Sequence, residues 1–214
     1  MTAVRADLAD AAGVLQAWAA ITESGREIDA LALNAGRGIG GAFVGGTELS
    51  EELDVIDVNV TSTVHLAKLV LPKMVARGSG RVLFTSSIAS MMPGTYQAVY
   101  NASKSFVQSF AEALRAELED TGVTVTALMP GPTDTNFFHR AEMDDTPVGA
   151  GRKDDPALVA EQGVRALLDG KQKVVAGSVR TKVQAAASKV MPDSAKAALH
   201  RKMAEPGAEA ASGR

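Results

Sequence analysis

Tyr100 and Lys104 stand four positions apart in a stretch with helical periodicity, so their side chains share one helix face. Ser87 lies thirteen residues before Tyr100, at the end of an apolar, strand-like run. Asn59 falls inside a long helical pattern, although Asn is a poor helix former. Together these residue types support one kind of chemistry. An ammonium beside a phenol favours the phenolate and lowers its pKa. Such a phenol can exchange a proton with an alcohol or ketone near neutral pH. A serine hydroxyl can hold the same substrate oxygen by a hydrogen bond. Tyr-x-x-x-Lys alone is a weak signal, and the spacing to Tyr100 favours Ser87 over its neighbour Ser86.

A second stretch invites a different reading. Residues 31–41 read LALNAGRGIGG, in which Gly36, Gly38 and Gly41 spell G-x-G-x-x-G. That spacing suits a dinucleotide pyrophosphate, but such a turn must open a helix whose N-terminus faces the phosphates. The residues that follow, AFVGGTELS, read as a loop. The glycine match is therefore a decoy.

Composition bounds the remaining possibilities. A chain of 214 residues with 46% hydrophobic and 22% charged residues is long and apolar enough for one globular domain. A net charge of -3 gives no reason to seek nucleic acid or an anionic membrane. There is no cysteine, and His65, His139 and His200 match no metal-ligand spacing, so no metal site is expected. No apolar run is long enough to span a bilayer, and the first residues lack the pattern of a signal peptide, which makes the cytoplasm the default location. No G-x-S-x-G elbow is present, so a serine hydrolase built on Ser87 is a weak alternative.

The elements that must position these residues alternate between strand and helix. Strands are expected at Val4–Leu8, within IDALALNAG (28–36), at RVLFTSS (81–87), at VTVTALMPG (123–131) and at KVVAG (173–177). The second of these is nearly all apolar, as in a strand buried on both faces. Helices are expected over 10–25 with Asp10 as N-cap, over 50–78 starting at Ser50, over 96–121, over 155–170, and from about 180 to 205 with a break at Pro192. Trp18 is expected in the core, and Glu51 and Glu52 on a solvated first turn. Such alternation implies a doubly wound α/β fold, a parallel sheet with helices on both faces. Ligands then sit beyond the carboxyl ends of the strands, at NAG (34–36), SS (86–87) and PGP (130–132). Residues 136–156 form a long connection that suggests a lid, in which Phe137 and Phe138 could face an apolar substrate. Met91, Met92 and Tyr96 are candidate pocket walls. Residues 1–205 read as one domain and 206–214 as a disordered tail.

The motifs ADL (6–8), LNAG (33–36), NV (59–60), FTSS (84–87), YNASK (100–104) and PGPTDT (130–135), in this order, resemble the short-chain dehydrogenase/reductase family. The resemblance implies a Rossmann-like domain that moves a hydride between NAD or NADP and a small-molecule secondary alcohol, ketone or aldehyde. It implies Tyr100 as general acid/base, with Lys104 lowering its pKa and holding the nicotinamide ribose. Ser87 would orient the substrate oxygen, and Asn59 would hold a relay water. Asn34, Ala35 and Gly36 would line the adenosine side of the cofactor, Asp7 would meet the adenine, and Pro130, Gly131, Thr133 and Thr135 would contact the nicotinamide end. Helices over 50–78 and 96–121 would pack between subunits of a homodimer or homotetramer.

The family's phosphate turn, Thr-Gly-x-x-x-Gly-x-Gly, should precede Asp7 by two strand–helix units, and the sequence starts just before Asp7. The expectation is an N-terminally truncated fold, in which the strand Asp29–Leu33 offers a bare edge that Val4–Leu8 or another chain could cover. A catalytically impaired homologue acting as a binding or oligomerisation module is the alternative reading. The residues that would select NAD over NADP follow the family's second strand and have no counterpart in the sequence.

Overall fold

The structure is a computed structural model, and it describes residues 2–207. Four parallel strands form one sheet in chain order: β1 (Ala30–Leu33), β2 (Gly80–Thr85), β3 (Val123–Pro130) and β4 (Lys173–Ala176). Asp10 caps α1 (Ala11–Glu23) by accepting from the Gly13 amide. The helical stretch after β1 is α2 (Leu49–Ile56), a π-helical turn at Asp57–Thr61, and α3 (Ser62–Arg77), which ends on Gly78 in the left-handed conformation. Between β2 and β3 runs α4 (Ala98–Glu117). Two short helices, α5 (Phe137–Arg140) and α6 (Pro147–Ala150), lie in the connection after β3. Then come α7 (Pro156–Leu168), β4, α8 (Val179–Ser188) and α9 (Asp193–Ala204).

Alternation along the strands divides the core between two faces. Val82, Phe84, Val125 and Ala127 pack against α1, α3 and α4 through Val14, Val70, Met74, Val107 and Ala111. Leu83 and Leu128 point the other way, onto Val159 and Leu167 of α7. Phe84 meets Phe110 edge-on at 5.7 Å between centroids. The doubly covered parallel sheet expected from the alternation is what forms, and its carboxyl ends converge on one side.

Five local expectations need correction. Val4–Leu8 forms no strand. Asp7 instead accepts from the Ala9 amide, and the turn at 8–9 leads directly into α1. The IDALALNAG strand is not buried on both faces. It pairs only with β2, and of its four residues only Leu33 is buried. Ser50 does not start α2; Glu48 is its N-cap, in a reciprocal capping box with Glu51. Glu52 is buried rather than solvated, accepting a hydrogen bond from Thr47 at 2.8 Å. The single helix over 50–78 is interrupted, because the chain widens into a π turn at Asn59. Elsewhere the readings agree. Pro192 separates α8 from α9, and Trp18 packs partly buried on the core beneath the ammonium of Lys73. The tail expected at 206–214 lies, apart from its first two residues, outside the described residues.

Candidate active site

A cavity of about 950 Å³ opens at the carboxyl ends of the strands. Tyr100 and Lys104 come from the first turns of α4, on the face turned to the sheet. Ser87 follows β2, where its oxygen accepts from the Ala89 amide at 3.1 Å and its hydroxyl donates to the Pro130 carbonyl at 3.4 Å. Ser87 and Tyr100 line the same cavity. Ser86 also borders the cavity, but its hydroxyl is taken up by the backbone carbonyl of Lys104 at 3.0 Å, which fixes α4 against β2.

The electrostatics differ from the sequence expectation. Burial pushes the Tyr100 phenol up to about 12, against the opposing hydrogen bond from Ser87. Burial also lowers the Lys104 ammonium to about 8. The ammonium donates to the Thr85 carbonyl at 3.0 Å and stands 5.9 Å from the centre of the Tyr100 ring. Desolvation outweighs any attraction that would have lowered the phenol.

Asn59, in the π turn, is spent on fixing the loop after β1. Its Oδ1 accepts from the Arg37 amide at 2.8 Å, and its Nδ2 donates to the Arg37 carbonyl and to Ser103 Oγ, each at 2.9 Å. That loop delivers Gly36 to the lysine. A Cβ at Gly36 would lie 3.0 Å from Lys104 Nζ and 3.5 Å from Asn59 Oδ1, so glycine keeps the space beside the ammonium open. Asn34 accepts from Thr85 Oγ1 at 2.9 Å.

The glycine stretch is no phosphate turn. No helix opens between these glycines and Leu49. A Cβ at Gly38 would meet Phe137 at 2.6 Å, and one at Gly40 would meet Met143 at 2.5 Å. The Gly40 amide donates to the Ala141 carbonyl and the Gly41 amide to the Tyr96 carbonyl. These glycines make room for the connection after β3 and tie it down.

Of the residues singled out in the sequence, Asn34, Gly36, Ser87, Tyr100, Lys104, Pro130, Gly131, Thr133 and Thr135 all line the cavity. Asn59 stands directly behind it. Asp7 and Ala35 do not reach it, since Asp7 is exposed at the start of α1. Phe137 and Phe138 do line it, and Phe137 lies 5.3 Å from the Tyr100 ring, as the lid reading expects. Met92 lines the cavity, whereas Met91 does not. Tyr96 is not a wall either; it takes a left-handed φ of 65° and its hydroxyl donates to Glu205. His139 is exposed beside Asp144, and no group of residues able to hold a metal ion occurs among the described residues. Sequence reasoning missed Arg37, Gln97, Gln184, His200 and Met203. Only Gln97 carried a local signal, lying three residues before Tyr100 on the same helix approach.

The model of the short chain dehydrogenase family matches residues 1–146. The chain belongs to this family. An uncharacterised oxidoreductase of Staphylococcus saprophyticus is 36% identical over 141 residues, covering 66% of this chain and 58% of the relative. A short-chain dehydrogenase from Sphingobium yanoikuyae, solved with NADPH, superposes with a TM-score of 0.72 at 26% identity, over 79% of this chain and 65% of that one. A 3-ketoacyl-(acyl-carrier-protein) reductase from Brucella melitensis, solved with NADH, gives a TM-score of 0.66 at 26% identity, over 80% and 76%. The chain spans about half the length of the curated relatives it matches. No helix among the described residues is long and apolar enough to cross a membrane.

Proposed function

We propose that this chain is an NAD- or NADP-dependent oxidoreductase that interconverts a secondary alcohol with a ketone, or an alcohol with an aldehyde. One observation carries the reading: Ser87, Tyr100 and Lys104, from two different elements, line one cavity at the strand ends. The space that Gly36 leaves beside the ammonium fits the nicotinamide–ribose end of the cofactor. Lys104 would hold that end, with Pro130, Gly131, Thr133 and Thr135 around the ring, and Asn34 would lie toward the adenosine side. Asp7, outside the cavity, would have to contact the adenine from the surface, and Ala35 would flank Asn34 there. When bound, the nicotinamide supplies or accepts the hydride.

The side chains do the rest. In reduction, the substrate carbonyl oxygen accepts from Ser87 and Tyr100. As the carbonyl carbon takes the hydride, the Tyr100 proton moves to that oxygen. The phenolate regains a proton from the Lys104 side, and the Asn59 side chain, taken up by Arg37 and Ser103, would serve there by holding Gly36 beside the ammonium. Tyr100 with a pKa of about 12 holds its proton at neutral pH, so the site stands ready as an acid. Reduction is favoured near pH 7, and oxidation speeds up as the pH rises.

The deciding experiment pairs binding with turnover. NADH and NADPH should each be titrated while the melting temperature is followed, since a ligand of the folded state must raise it. Tyr100→Phe should keep that shift and lose about 10²–10⁴-fold in kcat. No shift with either coenzyme, or a Tyr100→Phe variant as active as the parent, overturns the reading. Subunits would associate through α2, α3 and α4, supported by the exposed Leu53, Ile56, Val75 and Phe106 on those helices. Phe106→Glu should then convert a dimer to monomer in sedimentation.

A further inference from the structure

We propose that Gln97 and His200 form a subsite that reads a second hydroxyl on the substrate, remote from the reacting carbon, so that hydroxylated ketones are preferred. The inference rests on the acid–base reading of Tyr100, because it places this subsite in the same cavity.

Gln97 is the N-cap residue of α4, one helical step before Tyr100. Helix N-caps are normally Ser, Thr, Asp or Asn, whose side chains bond the first free amides. Gln97 makes no such bond. Its backbone is fixed on both sides, donating to the Gly94 carbonyl at 2.9 Å and accepting from the Asn101 amide at 3.0 Å. The side chain lines the cavity at 7% exposure, and its buried Nε2 has no hydrogen-bond partner. A buried amide left unpaired is costly, and because Gln97 lines the cavity a turn of its amide would bring this donor to a partner there.

His200 reaches the same cavity from α9, at 4% exposure. Its Nδ1 lies 2.9 Å from the Thr95 carbonyl oxygen. A carbonyl can only accept, so Nδ1 carries the hydrogen. Burial holds the imidazole below its ordinary pKa, against the opposing Thr95 bond, which keeps the ring neutral at pH 7. The neutral ring with hydrogen on Nδ1 leaves Nε2 as a bare acceptor. Nε2 makes no hydrogen bond among the described residues. Thr95 is two residues from Gln97, so one short loop anchors the histidine and presents the amide.

The cavity wall thus carries an unpaired buried donor on Gln97 and a free ring acceptor on His200, among apolar residues such as Met92, Phe138 and Met203. A hydroxyl can satisfy both, accepting from Gln97 and donating to His200. An ether or second carbonyl only accepts. An ammonium only donates, and no carboxylate lines the cavity to neutralise it. A methyl group leaves both protein groups unpaired, and a site built to bond a hydroxyl rejects the analogue that lacks it.

The test compares para- and meta-(hydroxymethyl)acetophenone with the ethyl analogues of the same shape and with the methoxymethyl ethers. Dissociation constants are measured by calorimetry without coenzyme, and kcat/KM with NADPH. The hydroxymethyl ketone should be preferred over its ethyl analogue by about tenfold or more in both measurements. The ether should fall near the ethyl compound. Gln97→Met and His200→Phe, each checked by its melting temperature, should bring the ratio near one. If His200→Phe does not fold, Gln97→Met decides. No preference in the parent protein, or one that persists in the folded variants, overturns the subsite. A binding preference lost in the variants, with no turnover of any ketone, sustains the subsite and overturns the oxidoreductase reading. Failure of every ketone to bind overturns both.

Discussion

Two opposed titrations meet at Tyr100 and Lys104, and each leaves a mark on stability. In the unfolded chain the lysine holds its proton to about 10.5, whereas in the fold it releases it near 8. Between those values the unfolded state binds more protons, so stability rises with pH across the window. Tyr100 acts in the opposite direction above pH 10. The folded phenol keeps its proton to about 12 while the unfolded one loses it near 10, so stability falls over that range. Urea unfolding should therefore show a gain on the order of 2–3 kcal/mol from pH 8 to pH 10. In Lys104→Met that gain should vanish. A pH-independent difference between parent and variant would show that the ammonium is not desolvated.

At the scale of elements, the π turn and the connection after β3 carry the site. The π turn sets Asn59 so that its amide clamps Arg37 and Ser103, and through Arg37 it holds Gly36 beside Lys104. Asn59→Ala leaves the half-buried Arg37 amide and carbonyl unpaired and removes a bond to buried Ser103, and should cost about 2 kcal/mol by urea unfolding. Coenzyme binding should weaken with it, as melting-temperature titration would read. Across the cavity, α5 and α6 are latched by Lys153. Its ammonium donates to the Gly149 and Gly151 carbonyls and lies 5.2 Å from the centre of the Phe138 ring. Lys153→Met should loosen this lid. We expect faster proteolytic nicking within residues 137–152 and a raised KM, with kcat changed little.

For the whole molecule, the sheet is a spine with its carboxyl ends on the site and its two faces packed against different helices. Phe84 is fully buried at the centre of the larger cluster, between β2 and α4. Phe84→Ala should cost about 4 kcal/mol in equilibrium unfolding, and activity should be lost through unfolding rather than chemistry. At the other extreme, β1 is paired on one side only, with Ala30 and Ala32 exposed. The bare edge expected from the sequence is therefore present, although Val4–Leu8 does not cover it.

The sequence by itself determined the alternation of β2, α4, β3, α7 and β4, and the wall that carries Ser87, Tyr100 and Lys104. These depend on local period and short spacing, and strand ends in a parallel sheet necessarily lie together. The same local logic exposed the glycine match as a decoy, because no helix follows it. Tertiary structure alone decided the rest. The direction of the Tyr100 and Lys104 shifts depends on how completely packing removes water, which no spacing encodes. Val4–Leu8 has the composition of a strand but no partner, and a strand exists only through its neighbour. Glu52 became buried because Thr47 folds back onto it. His200 reached the cavity from a hundred residues beyond Tyr100, since α9 folds over the loop that holds Thr95 and Gln97. A contact so distant in sequence leaves no periodicity to read.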